Sequence, residues 1–221
     1  RAEITDFWAM VFNPSSVERI WHVWLGAFLA GVFLILSVHA YYILRGRYVS
    51  ISKKAFKITL VIATITSLAQ LVAGHASAEV VAEHQPAKLA ALEGHYDESA
   101  AADMYLLGWV DQEKQEVTGL AIPGGLSFLL DQDFEAPVTG LNAFSEDERP
   151  SQVNAVFQFY HLMVAIGMFL IGLTLYASFL LWKKKLFTRK WLLWVFVFTA
   201  LLPQIANQVG WFSAEMGRQP W

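Results

Sequence analysis

The sequence predicts an all-α integral membrane protein: four transmembrane helices with a long external loop between the second and third. Three observations lead there. Hydrophobic residues make up 56 % of the 221-residue chain and charged residues 16 %, well under the quarter or so of a globular domain. Four apolar runs are each long enough to cross a bilayer. Finally, the positive and negative charges are sorted into different connections. The chain has no Cys, which excludes disulfide scaffolds, Cys-based zinc sites, iron–sulfur clusters and thiol nucleophiles. A net charge of −3 excludes a dominant nucleic-acid role.

In chain order, residues 1–16 form an N-terminal interfacial segment, with a short Phe- and Trp-rich helix over 4–12. Asn13-Pro14-Ser15-Ser16 is a turn, and Ser15 followed by Glu18 has capping-box spacing. Residues 17–78 hold the first two spans, 20–44 and 58–78. The second is the weakest, with Thr59, Thr64, Thr66, Gln70 and His75 inside it. Residues 79–150 are the loop, which mixes the short apolar stretches 104–110 and 120–130 with Gly, Pro and acidic residues. A connection of that length is a folded or half-folded segment. Residues 151–221 hold spans three (153–182) and four (191–212, interrupted by Pro203).

Charge sets the sidedness. Arg45, Arg47, Lys53, Lys54 and Lys57 follow span one, and Lys183, Lys184, Lys185, Arg189 and Lys190 follow span three. The 72-residue loop carries 15 Asp or Glu against Lys88, Lys114 and Arg149. The positive-inside rule puts both short loops in the cytoplasm and residues 79–150 outside.

Polar residues inside spans are functional candidates by default. His22 is followed by Gly26 and Ala30 on its own face, a lane with almost no side chains. A flat macrocycle or a closely packed helix fits such a lane, and His22 also reads as an interfacial residue beside Trp21 and Trp24. Met163, with Gly167 one turn on, is either an apolar filler or a second iron ligand. His161 lies about 200° around the helix from Met163, on a face with Gln158, or hydrogen-bonds to a neighbouring helix. His39 reads as structural. Gln204, Gln208, Trp211 and Glu215 share one stripe that must face protein, cofactor or water. Glu215 is a proton carrier, an iron ligand or the ion-pair partner of Arg218.

The ending Gly217-Arg218-Gln219-Pro220-Trp221, preceded by Gly210-Trp211 and Glu215, resembles the terminal signature of subunit I of the cytochrome bd quinol oxidases. Three further segments agree in order. Phe12-Asn13-Pro14 ahead of Trp21-His22 resembles the approach to that family's low-spin haem b histidine. Gln85-Pro86-Ala87-Lys88-Leu89-Ala90-Ala91-Leu92-Glu93 resembles its quinol-loop motif. Phe159-Tyr160-His161-Leu162-Met163-Val164 resembles the helix bearing the Met ligand.

The resemblance implies that His22 and Met163 ligate a low-spin haem b. It implies that Lys88 and Glu93, supported by Gln85, bind and oxidise quinol. Glu215, with Arg218 and Trp211 nearby, would belong to a high-spin site of haem b and haem d that reduces O2 to water. It further implies a bacterial or archaeal cytoplasmic (inner) membrane, a second membrane subunit, and further helices of the same subunit before and after these four. On that reading the 221 residues are part of a longer chain and are inactive alone. Two features depart from the family pattern: His161 stands where the better-known branch has Arg, and Lys88 and Glu93 lie five apart. At about 140° around an ideal helix, that pair needs a kink or an approach from two sides. The residues by themselves also admit a stand-alone haem b electron carrier or a haem-free transporter or channel.

Overall fold

The computed structural model describes residues 6–219. It is mostly helical: α1 (Phe7–Val11), α2 (Pro14–Leu44), α3 (Val49–His84), α4 (Pro86–Glu93), α5 (Gly125–Asp131), α6 (Val153–Trp182), α7 (Lys190–Phe198) and α8 (Leu202–Met216). Four stretches, Ser15–Leu44, Val49–His84, Glu146–Trp182 and Lys190–Met216, are long and apolar enough to cross a membrane.

Boundaries differ from the sequence reading where polar residues hide helix. The cap of α2 is Asn13, not Ser15: its Oδ1 accepts from the Ser15 N–H at 3.1 Å. Pro14 then takes the first helical position, where its missing N–H costs nothing. The second span extends to Val49–His84, so Lys53, Lys54 and Lys57 ride its first turns. Long Lys stems lie along apolar surface while the ammonium reaches out, and Lys53 and Lys57 stand 5.4 and 5.9 Å over the Phe187 ring. Span four breaks as Pro203 requires. α7 ends at Phe198, a 3-10 turn covers Thr199–Leu201, and α8 resumes at Leu202. Proline removes one ladder donor and clashes with the carbonyl four residues back. Of the short N-terminal helix expected over 4–12, the described part is Phe7–Val11; residues 4 and 5 lie outside the described residues.

The chain divides into two compact units. The first comprises residues up to His75 with Val164–Asn207. Its core is aromatic and aliphatic: Phe33, Leu36, Phe56, Leu60 and Phe196 are fully buried, with Phe56 edge-on to Phe196 at 5.1 Å. The polar residues of span two face protein rather than lipid. Thr64 Oγ1 lies 2.9 Å from Ser178 Oγ, and Ser67 Oγ lies 3.2 Å from Thr174 Oγ1. Such hydroxyl pairs join helices where no water is available.

The second unit comprises Ala76–Met163 and residues from Gln208 onward. Within it residues 79–150 are folded, and they contain strands the sequence did not reveal. β2 (Met104–Asp111) and β3 (Glu116–Ile122) form an antiparallel hairpin, bulged between Tyr105 and Leu107. Its turn is an Asx turn: Asp111 Oδ1 accepts from the Glu113 and Lys114 N–H groups, both at 3.1 Å. Short β1 (Ser99–Ala100) pairs with β4 (Pro137–Val138). Ala90, Ala91, Val110, Leu141, Val153, Val156 and Phe157 make the unit's main core.

Candidate functional site

The word from Gln85 to Glu93 builds one element. Gln85 is the N-cap, Pro86 opens α4, and Glu93 closes it before Gly94, whose φ of +66° forms the left-handed C-cap. No kink interrupts the helix, so Lys88 and Glu93 leave it on two sides. Half-buried Lys88 lies toward the terminal signature: a Cβ on Gly217 would stand 3.3 Å from Lys88 Cγ and 3.2 Å from Val156 Cγ1. A side chain at position 217 would therefore need these neighbours to give by a few tenths of an ångström. Gln85 Oε1 is buried without a partner.

Glu93 is 3 % exposed, and its Oε2 is buried with no hydrogen-bond partner. Burial lifts the carboxyl to about 7, against a smaller opposing pull from its hydrogen bond with the Tyr160 hydroxyl. A buried acid poised near neutrality holds or gives a proton at physiological pH. Glu93 lines a cavity of about 510 Å³ together with His95, Tyr96 and Tyr105. A second cavity of about 300 Å³ is lined by Glu79, Glu83, Pro86, Leu89 and residues of 130–139.

The N-terminal end of α6 holds the hairpin along one face. Asn154 Oδ1 accepts from the Val110 N–H at 3.1 Å, Gln158 Nε2 donates to Gly108 O at 2.7 Å, and His161 Nε2 meets Tyr105 O at 2.7 Å. Residues at i, i+4 and i+7 project from one side of a helix, which is why three side chains reach three sites on one strand. His161 Nδ1 lies 2.9 Å from Phe157 O, and its ring stacks on Phe157 at 3.8 Å. His161 does both things left open for it: it shares a face with Gln158 and it hydrogen-bonds to a neighbouring element, which is a strand rather than a helix. Sequence reasoning missed this ladder, although the Asn-x3-Gln-x2-His spacing was there to find.

His22, in the first unit, is half-buried with both ring nitrogens 3.2 Å from Gln70 Nε2. A Cβ on Gly74 would lie 3.7 Å from its Cε1. The Gly26–Ala30 lane is taken by helix packing: Asn207 Nδ2 donates to Gly26 O at 3.1 Å, and a Cβ on Gly26 would fall 2.6 Å from Asn207 Oδ1. Met163, in the second unit, is backed not by Gly167 but by Gly210, where a Cβ would collide with its Sδ. An imidazole beside an amide and a thioether held at a helix contact are the donor types of an electron-transfer haem. Gln70 Oε1 is buried without a partner. Each donor taken by itself is of the type such a group needs, while the lane beside His22 is filled by Asn207.

At the terminal signature Arg218 and Glu215 form an ion pair of 2.7 Å. Gln204, Gln208 and Trp211 are exposed on α8, and Ser213 Oγ donates to Val156 O at 3.1 Å. Pro220 and Trp221 lie outside the described residues.

The whole chain, residues 1–221, matches the family described as cytochrome bd terminal oxidase subunit I. It is 36 % identical over 229 residues to the putative cytochrome bd menaquinol oxidase subunit I of Bacillus subtilis (strain 168), covering 99 % of this chain and 51 % of that protein. Identity is 31 % to the cytochrome bd ubiquinol oxidase subunit 1 of the same organism, over 100 % of this chain and 49 % of the relative. Among solved structures, the bd oxidase of Geobacillus thermodenitrificans superposes with a TM-score of 0.87 at 34 % identity, covering 98 % of this chain and 50 % of that one. The chain thus spans about half the length of the relatives it matches, and by sequence and fold together it belongs to the cytochrome bd terminal oxidase subunit I family.

Proposed function

We propose that this chain supplies the quinol-oxidising and low-spin haem part of a respiratory cytochrome bd-type quinol oxidase, in a bacterial or archaeal cytoplasmic membrane with residues 79–150 outside. The observation that carries the reading is the Gln85–Glu93 element: one helix ending in a buried carboxyl held near neutrality. Quinol oxidation releases two protons with two electrons, so its site needs a base able to cycle at neutral pH. Glu93 is that base. Lys88 and Gln85, on other sides of the same helix, bind and orient the ring oxygens. Relatives are named for menaquinol and for ubiquinol, so the substrate class is a quinol with either ring.

His22 and Met163 hold the low-spin haem b, which when bound supplies a one-electron carrier whose potential the thioether raises. Asn154, Gln158 and His161 keep the hairpin on the helix that carries Met163. Glu215, Arg218 and Trp211 belong to the high-spin side, a haem b and haem d pair that receives the electrons and reduces O2, and Arg218 balances the Glu215 charge. Further helices of the same subunit and a second membrane subunit complete the enzyme.

A reduced-minus-oxidised spectrum tests the reading. The full-length subunit in its membrane complex shows a low-spin haem b band that quinol reduces without oxygen. His22→Ala and Met163→Ala each remove that band, and Glu93→Gln leaves it in place but blocks its reduction by quinol. A haem-free protein, or a band indifferent to both ligand substitutions, refutes the assignment.

A further inference from the structure

The cavity beside Glu93 has a mainly polar lining. It holds about 510 Å³, room for several water molecules at about 30 Å³ each. Two buried polar atoms of its lining residues, Glu93 Oε2 and Tyr96 Oη, have no protein partner. Buried polar groups are ordinarily satisfied, and where protein supplies nothing, ordered water does. His95 Nε2 lies 3.2 Å from Val138 O, and a carbonyl only accepts. The N–H therefore sits on Nε2, and Nδ1 is left as a proton acceptor. Asp97, Asp103 and Glu116, all exposed, form an acidic rim.

We propose that this cavity is the exit by which a proton taken up by Glu93 reaches external water, with His95 as relay and the Asp97–Asp103–Glu116 rim as the acceptor that clears it. The inference rests on the reading of Glu93 as the quinol base. In each passage the Glu93 O–H bond breaks and, through cavity water, an N–H bond forms at His95 Nδ1. The imidazolium then gives its Nδ1 proton to water or a rim carboxylate. Glu93 returns to the anion and His95 to its neutral tautomer. Two passages release the two protons of one quinol, whose two electrons leave toward haem.

The groups facing this route are consistent with it. Tyr160 meets Glu93 from α6. Asp97 and Asp103 both favour the charged form of His95, against the burial that holds it neutral at rest. Asp111 and Arg149 act on Tyr96 with opposite signs. An apolar ring, by contrast, prefers a mainly apolar lining.

The test uses the assembled oxidase and stopped-flow reduction of its haem under anaerobic conditions, with a short-tail benzoquinol or naphthoquinol as donor. His95→Gln and the double variant Asp103→Asn/Glu116→Gln should slow haem reduction on the order of tenfold. The solvent deuterium isotope effect should rise, with KM for quinol and the haem midpoint potential unchanged. Glu113→Gln/Glu135→Gln, which removes two acids of the same segment away from the cavity, should leave the rate as it is. If both cavity variants keep wild-type rates and isotope effects while Glu93→Gln stops haem reduction, the exit is refuted and the quinol reading stands. A raised KM at unchanged maximal rate makes the cavity a quinol pocket and likewise overturns the exit. If Glu93→Gln itself reduces haem normally, the underlying reading of Glu93 has failed.

Discussion

Removing the Tyr160 hydroxyl should move the titration of Glu93 upward, and the size follows from the geometry. Burial alone disfavours the carboxylate; the Tyr160 hydrogen bond is what favours it. A hydrogen bond to a charged group contributes roughly 1.5–3 kcal/mol. Oε2 has no partner, so the hydroxyl serves at most one of the two oxygens and the low end applies. At about 1.4 kcal/mol per pKa unit, Tyr160→Phe should raise the midpoint from about 7 by about one pH unit.

Two assays report the same group. Infrared difference spectroscopy follows the protonated carboxyl C=O band, absent in Glu93→Gln. The acid limb of quinol-driven haem reduction follows the free base, so the rate rises with pH and the limb moves up with the substitution. A midpoint that stays put or falls in Tyr160→Phe refutes the account of what holds Glu93.

The same shift links to stability. The folded pKa of about 7 stands above the ordinary glutamate value of 4.5, so the folded state keeps the proton in that window and the unfolded chain does not. Glu93's contribution is therefore complete below about pH 4.5, is lost as pH rises toward 7, and is flat above it. The loss amounts to about 3 kcal/mol. Glu93→Gln should flatten that slope in denaturation series from pH 4.5 to 8.

Other positions give independent checks. Gln158→Leu should leave the Gly108 carbonyl without its donor, costing about 1–3 kcal/mol and speeding amide exchange across 104–122; unchanged exchange would mean the ladder on α6 does not hold the hairpin. Gly140→Ala places a Cβ against the Tyr96 carbonyl and should open residues 79–150 to protease. Gly31→Ala, with nothing within 4 Å, should be tolerated or stabilise its helix by up to about 1 kcal/mol, read as an unchanged or raised melting temperature. Gly210→Ala should displace Met163 Sδ and so shift the low-spin haem band without abolishing the fold.

What the sequence revealed and what it hid follow from the range of each interaction. The spans were legible because bilayer thickness imposes a length, and the run 153–182 coincides with α6 residue for residue. The break at Pro203 was legible because a missing N–H acts locally. The β2–β3 hairpin was not, because its apolar residues do not alternate toward one buried face. Leu106 and Leu107, adjacent in sequence, are both exposed across the bulge, as are Trp109 and Leu120. Nor was the packing of Met163 on Gly210: the residue four along the same helix is visible in one dimension, whereas the neighbour from another helix is not.

The candidate site divides in the same way. The resemblance to the family's quinol-loop motif pointed to Gln85, Lys88 and Glu93, but the spacing of Lys88 and Glu93 gave an expected angle without saying which side each would face. The unbroken α4 turns that angle into a division of labour. One side of the helix carries an amine stem against the terminal signature, and the other carries a carboxyl into the cavity of about 510 Å³. On the proposed reading, binding charge and base are thereby kept apart on one rigid element. A kink inserted at Ala90 or Ala91, both fully packed, should cost quinol affinity and proton transfer together, whereas Lys88→Ala alone should cost affinity.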